Sequence, residues 1–333
     1  MSYAFGVDIG ATRTTLAVMD LREHRILAHQ RVMSDYLFTG HRAPSAVLYE
    51  AVTRFMAEQD LELDKIVGVG VGVPGVVDRA EGAVLTCPNL HVLDGVPLAA
   101  DTAARLGVPV YLDNNTNLIC LGEYVCGAGR GVRDMAVVFV GSGLGSGLIL
   151  DGKLYEGADG AAAEFGHTII VANGLPCTCG AHGCLEMYCS GKALSAVAEK
   201  VFDARERFML GSRFGGARLL IEQASFGHDG ANRALEEAFT YLGLGLTSLV
   251  NLLNPRLIVL GGGIVFNWPR GVDVAREVVM REALPQVREK LRIEISELRD
   301  LAGVSGGAVL VALQGRLELI GQQEALAELW PCE

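Results

Sequence analysis

The sequence is most informative between residues 164 and 186, where it reads Glu164-Phe-Gly-His167, nine spacer residues, and Cys177-Thr-Cys179-Gly-Ala-His-Gly-Cys184-Leu-Glu186. Three cysteines and an upstream histidine are a ligand set typical of tetrahedral Zn²⁺ sites. We therefore predict one structural zinc ion bound by His167, Cys177, Cys179 and Cys184. The alternative is a glycine-rich loop with three reduced thiols, in which the histidine is an ordinary surface residue.

The same stretch resembles the G-H…C-x-C-G-x-x-G-C-L-E signature of the ROK family, which contains sugar kinases and repressors, and the resemblance extends over nearly the whole chain. In that family the histidine binds both zinc and the sugar, and the two glutamates hydrogen-bond sugar hydroxyls. The resemblance implies sugar contacts for Glu164, His167 and Glu186. Carboxylates suit this role because they are strong acceptors for hydroxyl donors.

Residues 3–20 predict a strand, a tight turn and a second strand. The residues of interest around this turn are Asp8, Gly10, Thr12 and Thr14. A glycine turn with exposed N–H groups and nearby hydroxyls can form a concave anion site. The D-x-G-x-T pattern is weak by itself, and a plain hairpin without a ligand is the alternative.

Residues 135–150 repeat this design, with Gly141, Ser142 and Gly143 at the turn. The spacing is not that of a Rossmann fingerprint, and the sequence contains no P-loop motif. Two such hairpins resemble the duplicated actin–hexokinase architecture, in which paired hairpins hold the nucleotide phosphates. The resemblance implies an α/β protein with an actin-like ATPase (hexokinase/ribonuclease H-like) fold of two α/β domains with a cleft between them. It also implies ATP and Mg²⁺ as cofactors, with Asp8 as the partner of hydrated Mg²⁺.

The length of 333 residues agrees with two domains. We expect a small N-terminal α/β domain of residues 1–117 plus 305–333 and a large α/β domain of residues 118–304 that carries the zinc ligands. Within the large domain, a predicted strand ends in Gly261, Gly262 and Gly263. In the family this segment lies against the adenosine, whereas the alternative is a purely structural turn.

Two segments of the first domain resemble sugar-binding segments of the family. Val73-Pro74-Gly75 matches its V-P-G motif, whose backbone lines the sugar site. Pro88-Asn89-Leu90 matches its P-N-L motif, whose asparagine contacts a sugar hydroxyl. The resemblance thus implies sugar contacts for Gly75 and Asn89. The alternative for Asn89 is a turn former after a proline.

The sequence departs from the family at Asp113-Asn114-Asn115-Thr116-Asn117, which aligns with the family motif E-N-D-A-N. The resemblance implies that Asn114 and Asn115 contact the sugar, and the catalytic aspartate of the family falls on Asn115. An amide cannot take a proton from a hydroxyl at neutral pH, although it can hydrogen-bond one. A general base contributes about 10²–10⁴-fold to the rate, so turnover should suffer. Asp113 is the alternative base.

Composition restricts the partners. The formal net charge is −11, which argues against a surface for duplex DNA. The N-terminus lacks a basic segment followed by an apolar run, and the longer apolar stretches are interrupted by Gly, Asn and Pro. We expect a cytoplasmic protein, with reduced cysteines, that forms a homodimer and binds neither membrane nor nucleic acid.

The reaction that the resemblance implies is transfer of the γ-phosphoryl group of ATP to a hexose, with glucose as the first choice. His91-Val92 follows Asn89-Leu90 where glucokinases of the family commonly have Gly-Trp, so allose, mannose, fructose and N-acetylmannosamine remain open. Because of Asn115, a sugar-binding protein without turnover is an alternative. A sugar-responsive repressor is disfavoured, because the first hairpin starts at Tyr3 and leaves no room for a winged helix.

Overall fold

The chain forms a mixed α/β structure, and the computed structural model describes residues 2–38, 42–209 and 215–320. The strands are β1 (Tyr3–Ile9), β2 (Arg13–Asp20), β3 (Arg25–Met33), β4 (Ile66–Val73), β5 (Val76–Asp78), β6 (Ala83–Thr86), β7 (Val110–Asn114), β8 (Met135–Val140), β9 (Leu144–Leu150), β10 (Lys153–Leu154), β11 (Leu257–Gly261) and β12 (Arg292–Ile295). The helices are α1 (Ser34–Leu37), α2 (Pro44–Glu58), α3 (Leu98–Leu106), α4 (Asn115–Cys126), α5 (Glu186–Cys189), α6 (Gly191–Val201), α7 (Ala204–Met209), α8 (Gly216–Ser225), α9 (Asp229–Leu253), α10 (Gly263–Asn267), α11 (Arg270–Glu282), α12 (Pro285–Arg288) and α13 (Ala302–Ala312). Within these ranges, no helix combines the length and the apolar character that a bilayer span requires.

The structure divides into two compact units. The first comprises the described residues of Met1–Arg133, Gly147–Ala162 and Asp300–Glu333, and the second comprises those of Asp134–Ser146 and Ala163–Arg299. The domain boundaries expected from the sequence stay predictions, and residues 321–333 of the expected first domain lie outside the described residues.

A five-stranded sheet in the order β3-β2-β1-β4-β7 forms the centre of the first unit. Strands β1 and β2 pair antiparallel, which confirms the hairpin predicted for residues 3–20. Strands β1, β4 and β7 run parallel, with Asp8 beside Gly72 and Val73 beside Asn114. The carboxyl ends of parallel strands meet at one edge of a sheet, so three segments predicted to bind ligand end at the same edge.

The core of the first unit lies on both faces of this sheet. On one face Phe5 packs edge-on against Phe55 of α2, with ring centroids 5.4 Å apart. On the other face α13 packs against β1 and β4. The approach is close enough that a Cβ at Gly70 would lie 2.1 Å from the Gly307 carbonyl oxygen. Gly70 of the Val-Gly repeat in β4 is therefore required where this helix crosses the strand.

The second sheet has the order β10-β9-β8-β11-β12, which repeats the layout of the first. Strands β8 and β9 are neighbours, which confirms the second predicted hairpin. Strands β8, β11 and β12 run parallel and belong to the second unit, together with the start of β9. The long helix α9 ends at Leu253, because Asn254 follows it in the left-handed conformation, with φ of 48°, and precedes Pro255.

Candidate functional site

The second unit contains one candidate metal centre among the described residues. Its ligands are the predicted four, His167, Cys177, Cys179 and Cys184, and one donor atom from each lies within 4.8 Å of all the others. His167 Nδ1 lies 3.6 Å from Cys177 Sγ, and Cys179 Sγ lies 3.6 Å from Cys184 Sγ. The structure therefore brings together the residues that the sequence pattern predicted.

Backbone hydrogen bonds fold this loop around the donor atoms. Cys177 N–H donates to Ala181 O at 2.8 Å, and Gly180 N–H donates to Cys177 O at 3.0 Å, which closes a tight turn. Gly183 has φ of 81°, and a Cβ there would lie 1.8 Å from the Val171 carbonyl oxygen. Only glycine meets both requirements, so this position aims Cys184 at the cluster.

The donor set fits a zinc ion. Zn–S bonds of about 2.3 Å in a tetrahedron place two sulfur atoms roughly 3.8 Å apart, close to the separation of Cys179 and Cys184. Burial raises the pKa of Cys184 to about 12, whereas a hydrogen bond from Ala181 N–H lowers the pKa of Cys179. A buried thiol of this kind ionises readily when a divalent cation neutralises it.

The two glutamates that bracket the cluster also belong to the second unit. Glu186 is the first residue of α5, and its Oε2 accepts a hydrogen bond from Leu144 N–H at 2.8 Å. Desolvation raises the pKa of Glu164, His167 lowers it, and the charge of Glu186 raises it further. Because His167 and Glu186 both shift the pKa of Glu164, these three predicted sugar ligands lie close together.

The two glycine segments predicted to contact the nucleotide lie at one edge of the second sheet. The turn after β8 is closed by a hydrogen bond of 3.0 Å from Gly141 N–H to Gly143 O. Gly261, the last residue of β11, pairs in register with Phe139 of β8. Gly262 and Gly263 follow at the start of α10. The structure thus brings both segments to the carboxyl ends of adjacent parallel strands.

The turn of the first hairpin is held by Ser34, which belongs to none of the predicted motifs. Gly10 N–H donates to Arg13 O at 2.9 Å, and Ser34 Oγ donates to Gly10 O at 2.7 Å. Thr14 is fully buried, and its hydroxyl lies 3.0 Å from the Ser34 hydroxyl. Thr12 is exposed at the turn. The geometry gives Thr14 a structural partner, and phosphate contacts for Thr12 and Thr14 stay predictions.

Asp8 lies near Asn115 in the first unit. Burial raises the pKa of Asp8 to about 7, a hydrogen bond from the Asn115 side chain lowers it, and the charge of Asp300 raises it. The Asp8 Oδ1 atom is buried and has no hydrogen-bond partner among the described residues. Burial of a carboxylate oxygen without a hydrogen-bond partner costs free energy. Such groups are common at functional sites, where a bound ligand supplies the partner.

The predicted sugar-binding segments of the first unit lie at the carboxyl ends of β4 and β7. Asn114 Oδ1 accepts from Thr116 N–H at 2.8 Å and so caps α4, while Asn114 Nδ2 donates to Gly75 O at 3.0 Å. The Cys87 thiol lies 3.7 Å from Pro74 O, which joins the segment of Asn89 to that of Gly75. Asn89 itself is exposed.

Asp113, the alternative base, is engaged on both carboxylate oxygens. Oδ1 accepts from Asn114 N–H at 2.6 Å and from Asn117 Nδ2 at 2.9 Å, and Oδ2 lies 3.3 Å from Arg79 Nη1. Arg79 also forms an ion pair with Glu156. Burial raises the pKa of Asp113, while Arg79 lowers it. No sequence motif identified Arg79 and Glu156, because both are distant from Asp113 along the chain.

Asn115 does not share a face with Asp113, because β7 ends at Asn114 and Asn115 begins α4. Residues 113 and 115 would share a face only if the strand continued through Asn115. Asn115 Nδ2 instead lies 3.5 Å from Ile9 O, at the end of β1. A Cβ at Gly72 would lie 3.0 Å from the Asn115 Cα. Asn115 thus lies at the sheet edge beside Asp8, whereas Asp113 is turned toward Arg79.

Comparison with known proteins agrees with this arrangement. Residues 4–314 match the model of the ROK family. The chain belongs to the ROK family. This chain and the glucokinase of Streptomyces coelicolor are 34% identical over 323 residues, which cover 93% of this chain and 98% of that protein. A xylose repressor of Caldicellulosiruptor bescii is 33% identical over 269 residues, which cover 80% of this chain and 67% of the repressor.

A solved structure extends the comparison to the fold. The ROK family glucokinase of Streptomyces griseus, in complex with glucose and AMPPNP, matches with a TM-score of 0.79 and 31% identity. The match covers 93% of this chain and 99% of that chain. The predicted actin-like ATPase fold is confirmed for this ROK-family chain. Its relatives include proteins named as glucokinases and as xylose repressors.

Proposed function

We propose that the protein phosphorylates a hexose with ATP, with glucose as the first choice of substrate. The observation that carries the proposal is the assembly, in the second unit, of a Cys3His cluster, two carboxylates and a glycine hairpin. The full-length similarity to glucokinases supports the same activity. Allose, mannose, fructose and N-acetylmannosamine are alternative substrates.

Each group of residues has a role in this proposal. The hexose hydroxyls are bound by Gly75, Asn89, Asn114, Asn115, Glu164, His167 and Glu186. The nucleotide is bound by Asp8, Gly10, Thr12, Thr14, Gly141, Ser142, Gly143, Gly261, Gly262 and Gly263. Hydrated Mg²⁺ is held at Asp8, whose buried unpaired oxygen fits a cation, and supplies charge neutralisation for the phosphates. Zinc is held by His167 and the three cysteines and keeps the sugar-binding loop in shape.

The reacting hydroxyl is oriented in this proposal by Asn115, at the position of the catalytic aspartate of the family. The amide accepts a hydrogen bond from the hydroxyl but does not remove its proton at neutral pH. Phosphoryl transfer depends mainly on positioning and charge stabilisation, so the remaining residues still support a slow reaction. We expect turnover below that of a kinase with a carboxylate at this position.

The proposal is tested by two measurements on the same protein. Thermal denaturation across a panel of hexoses should show stabilisation that increases with the concentration of the cognate sugar. A coupled assay for ADP should then show release that depends on that sugar. If none of the hexoses stabilises the protein, the proposal is contradicted. Stabilisation together with a low rate of ADP release agrees with it.

A sugar-binding protein without useful turnover is the second candidate, and Asn115 is the observation that favours it. The similarity to a xylose repressor raises the related possibility of a regulatory role. Sugar-dependent stabilisation without sugar-dependent ADP release, at saturating ATP and Mg²⁺, favours this candidate over the kinase. A gel-shift assay with fragments of the source genome, with and without the stabilising sugar, separates a DNA-binding regulator from a silent sugar binder.

A further inference from the structure

Leu144 lies directly after the glycine turn predicted to bind phosphate, and it is held from two sides. On one side, its N–H donates to Glu186 Oε2 at 2.8 Å. On the other, its carbonyl oxygen packs against Gly166, where a Cβ would lie 2.3 Å from that oxygen. Leu144 is buried, so its N–H depends on Glu186 rather than on water for a hydrogen-bond partner.

Further hydrogen bonds fix the rest of the same turn. Gly191 N–H donates to Gly141 O at 2.8 Å, and Lys192 N–H donates to Ser142 O at 3.1 Å. The Ser146 hydroxyl donates to the Ala163 carbonyl oxygen. Every residue from Gly141 to Leu144 therefore contacts either the segment after residue 162 or the segment after residue 185.

The first of those segments contains His167, and the second begins directly after the last metal ligand, Cys184, and Leu185. Gly166 immediately precedes His167, and Glu186 follows Cys184 by two residues. They are joined directly, because Leu185 N–H donates to Thr168 O at 2.9 Å and Ile169 forms a bridge with Cys184. The Cys3His cluster and the phosphate hairpin are thus parts of one hydrogen-bonded framework within the second unit.

We infer that Glu186 is a positioning residue for the nucleotide hairpin, in addition to its proposed contact with the sugar. Oε2 holds the Leu144 N–H and so fixes the orientation of the turn, while Oε1 remains for a sugar hydroxyl. The hydrogen bonds around the metal cluster then influence the affinity of the protein for nucleotide as well as for sugar. This inference rests on the proposed function, because it assumes that the hairpin binds the phosphates of ATP.

The chain offers variants that separate the two roles. Glu186→Ala removes both oxygens. Glu186→Gln keeps a carbonyl oxygen that can accept from Leu144 N–H, but it presents an amide to the sugar. Glu164→Gln is the matched control, because it makes the same chemical change in the neighbouring carboxylate. Affinity for a non-hydrolysable ATP analogue with Mg²⁺, and separately for glucose, is measured by titration calorimetry on the full chain.

We expect Glu186→Ala to weaken binding of the ATP analogue by about tenfold, the effect of one lost hydrogen bond to a charged group. Glu186→Gln should stay within about threefold of the unchanged protein for the analogue, although its affinity for glucose falls. Glu164→Gln should lower glucose affinity alone. Hydrogen exchange should show faster exchange of the Leu144 amide in Glu186→Ala than in Glu186→Gln, a change that a sugar contact alone would not cause.

The outcomes distinguish the inference from the proposed function. If the unchanged protein binds the analogue and Glu186→Ala binds it equally well, the inference is overturned and the kinase proposal stands. Equal losses of analogue affinity in Glu186→Ala and Glu164→Gln also overturn it, since they indicate a general effect of charge. If the unchanged protein does not bind the analogue, both fail. Should Glu186→Ala not fold, Glu186→Asp replaces it, because its carboxylate is withdrawn from Leu144 by roughly one C–C bond, about 1.5 Å.

Discussion

The Arg79 guanidinium lies 3.3 Å from the Asp113 carboxylate, Nη1 to Oδ2, although the two residues are 34 positions apart. The other oxygen of Asp113 is already occupied by Asn114 N–H and Asn117 Nδ2. A carboxylate with both oxygens engaged in this way is poorly placed to accept a proton from a substrate hydroxyl. Its role is to anchor the end of β7 and the start of α4, where Asn114 and Asn115 lie.

We therefore expect Asp113→Asn to act mainly on the stability of the protein and only weakly on kcat. The amide cannot pair with Arg79 by charge, and the loss should be about 1–3 kcal/mol in the free energy of unfolding, as for a buried hydrogen bond to a charged group. Arg79 is partly exposed and keeps its ion pair with Glu156, which limits the cost. Chemical denaturation checks this value, and Arg79→Gln should cost a similar amount. Loss of all turnover at unchanged stability would instead identify Asp113 as the base.

Asn115→Asp should raise sugar-dependent ATP turnover. A carboxylate at this position can take the hydroxyl proton, and general bases contribute about 10²–10⁴-fold to kcat. The change in sugar affinity should be smaller, because an amide oxygen and a carboxylate both accept a hydrogen bond. The start of α4 also favours the negative charge. The measurement is the coupled ADP assay with the sugar that stabilises the protein most.

The control for this variant is the double change Asn115→Asp with Asp113→Asn, assayed at a temperature at which both proteins are folded. Its kcat should stay close to that of Asn115→Asp alone. If Asn115→Asp gains nothing while Asp113→Asn abolishes the existing rate, the alignment of this motif is wrong.

The sequence predicted those parts of the structure that are set by local patterns. Apolar runs on both sides of glycine turns predicted both hairpins, and the C-x-C-x4-C spacing predicted the cluster because its ligands lie close together along the chain. The fold could be predicted from the same motifs, since they resemble those of a known family. Each of these signals lies within a few residues of sequence.

The parts of the site that could not be predicted from the sequence depend on contacts between distant segments. Arg79, Asp113 and Glu156 form a network from three separate segments, and neither Arg79 nor Glu156 belongs to a recognisable motif. Ser34 holds the first turn through Thr14 and Gly10, which periodicity cannot reveal. The bond from Leu144 to Glu186 joins residues 42 positions apart. Pairings of this kind are decided by the tertiary structure rather than by local sequence.

Cys179→Ser should release the metal and weaken sugar binding. The unchanged protein, purified without chelator, should contain one zinc per chain by elemental analysis. A serine hydroxyl is a poor zinc ligand, and loss of the ion frees the loop that positions Glu164, His167 and Glu186. Thermal stability should fall together with sugar affinity. Cys126→Ser is the matched control, because this cysteine lies outside the cluster. Unchanged sugar affinity in a folded, zinc-free Cys179→Ser protein would separate the metal from the sugar site.

The stability of the protein should depend on pH through Asp8. Burial raises the pKa of Asp8 to about 7 in the folded chain, whereas an unfolded aspartate titrates at about 4. Between these values the folded protein keeps a proton that the unfolded chain has lost, so the contribution of Asp8 to the free energy of unfolding falls as pH rises from about 4 to about 7. Above about pH 7 both states are ionised and the contribution is constant.

Asp8→Asn isolates this contribution, because it removes the titrating group while keeping the size of the side chain. Without Mg²⁺ or nucleotide, the free energy of unfolding of Asp8→Asn relative to the unchanged protein should increase from pH 5 to about pH 7 and then level off. The variant should be the more stable of the two above pH 7, since it does not bury an ionised oxygen without a partner. Urea denaturation of both proteins across pH 5–8 measures the difference, and other titrating groups cancel in it. Parallel stability curves would show that Asp8 is ionised in the folded chain throughout this range, as it would be if a bound cation or water paired with its Oδ1.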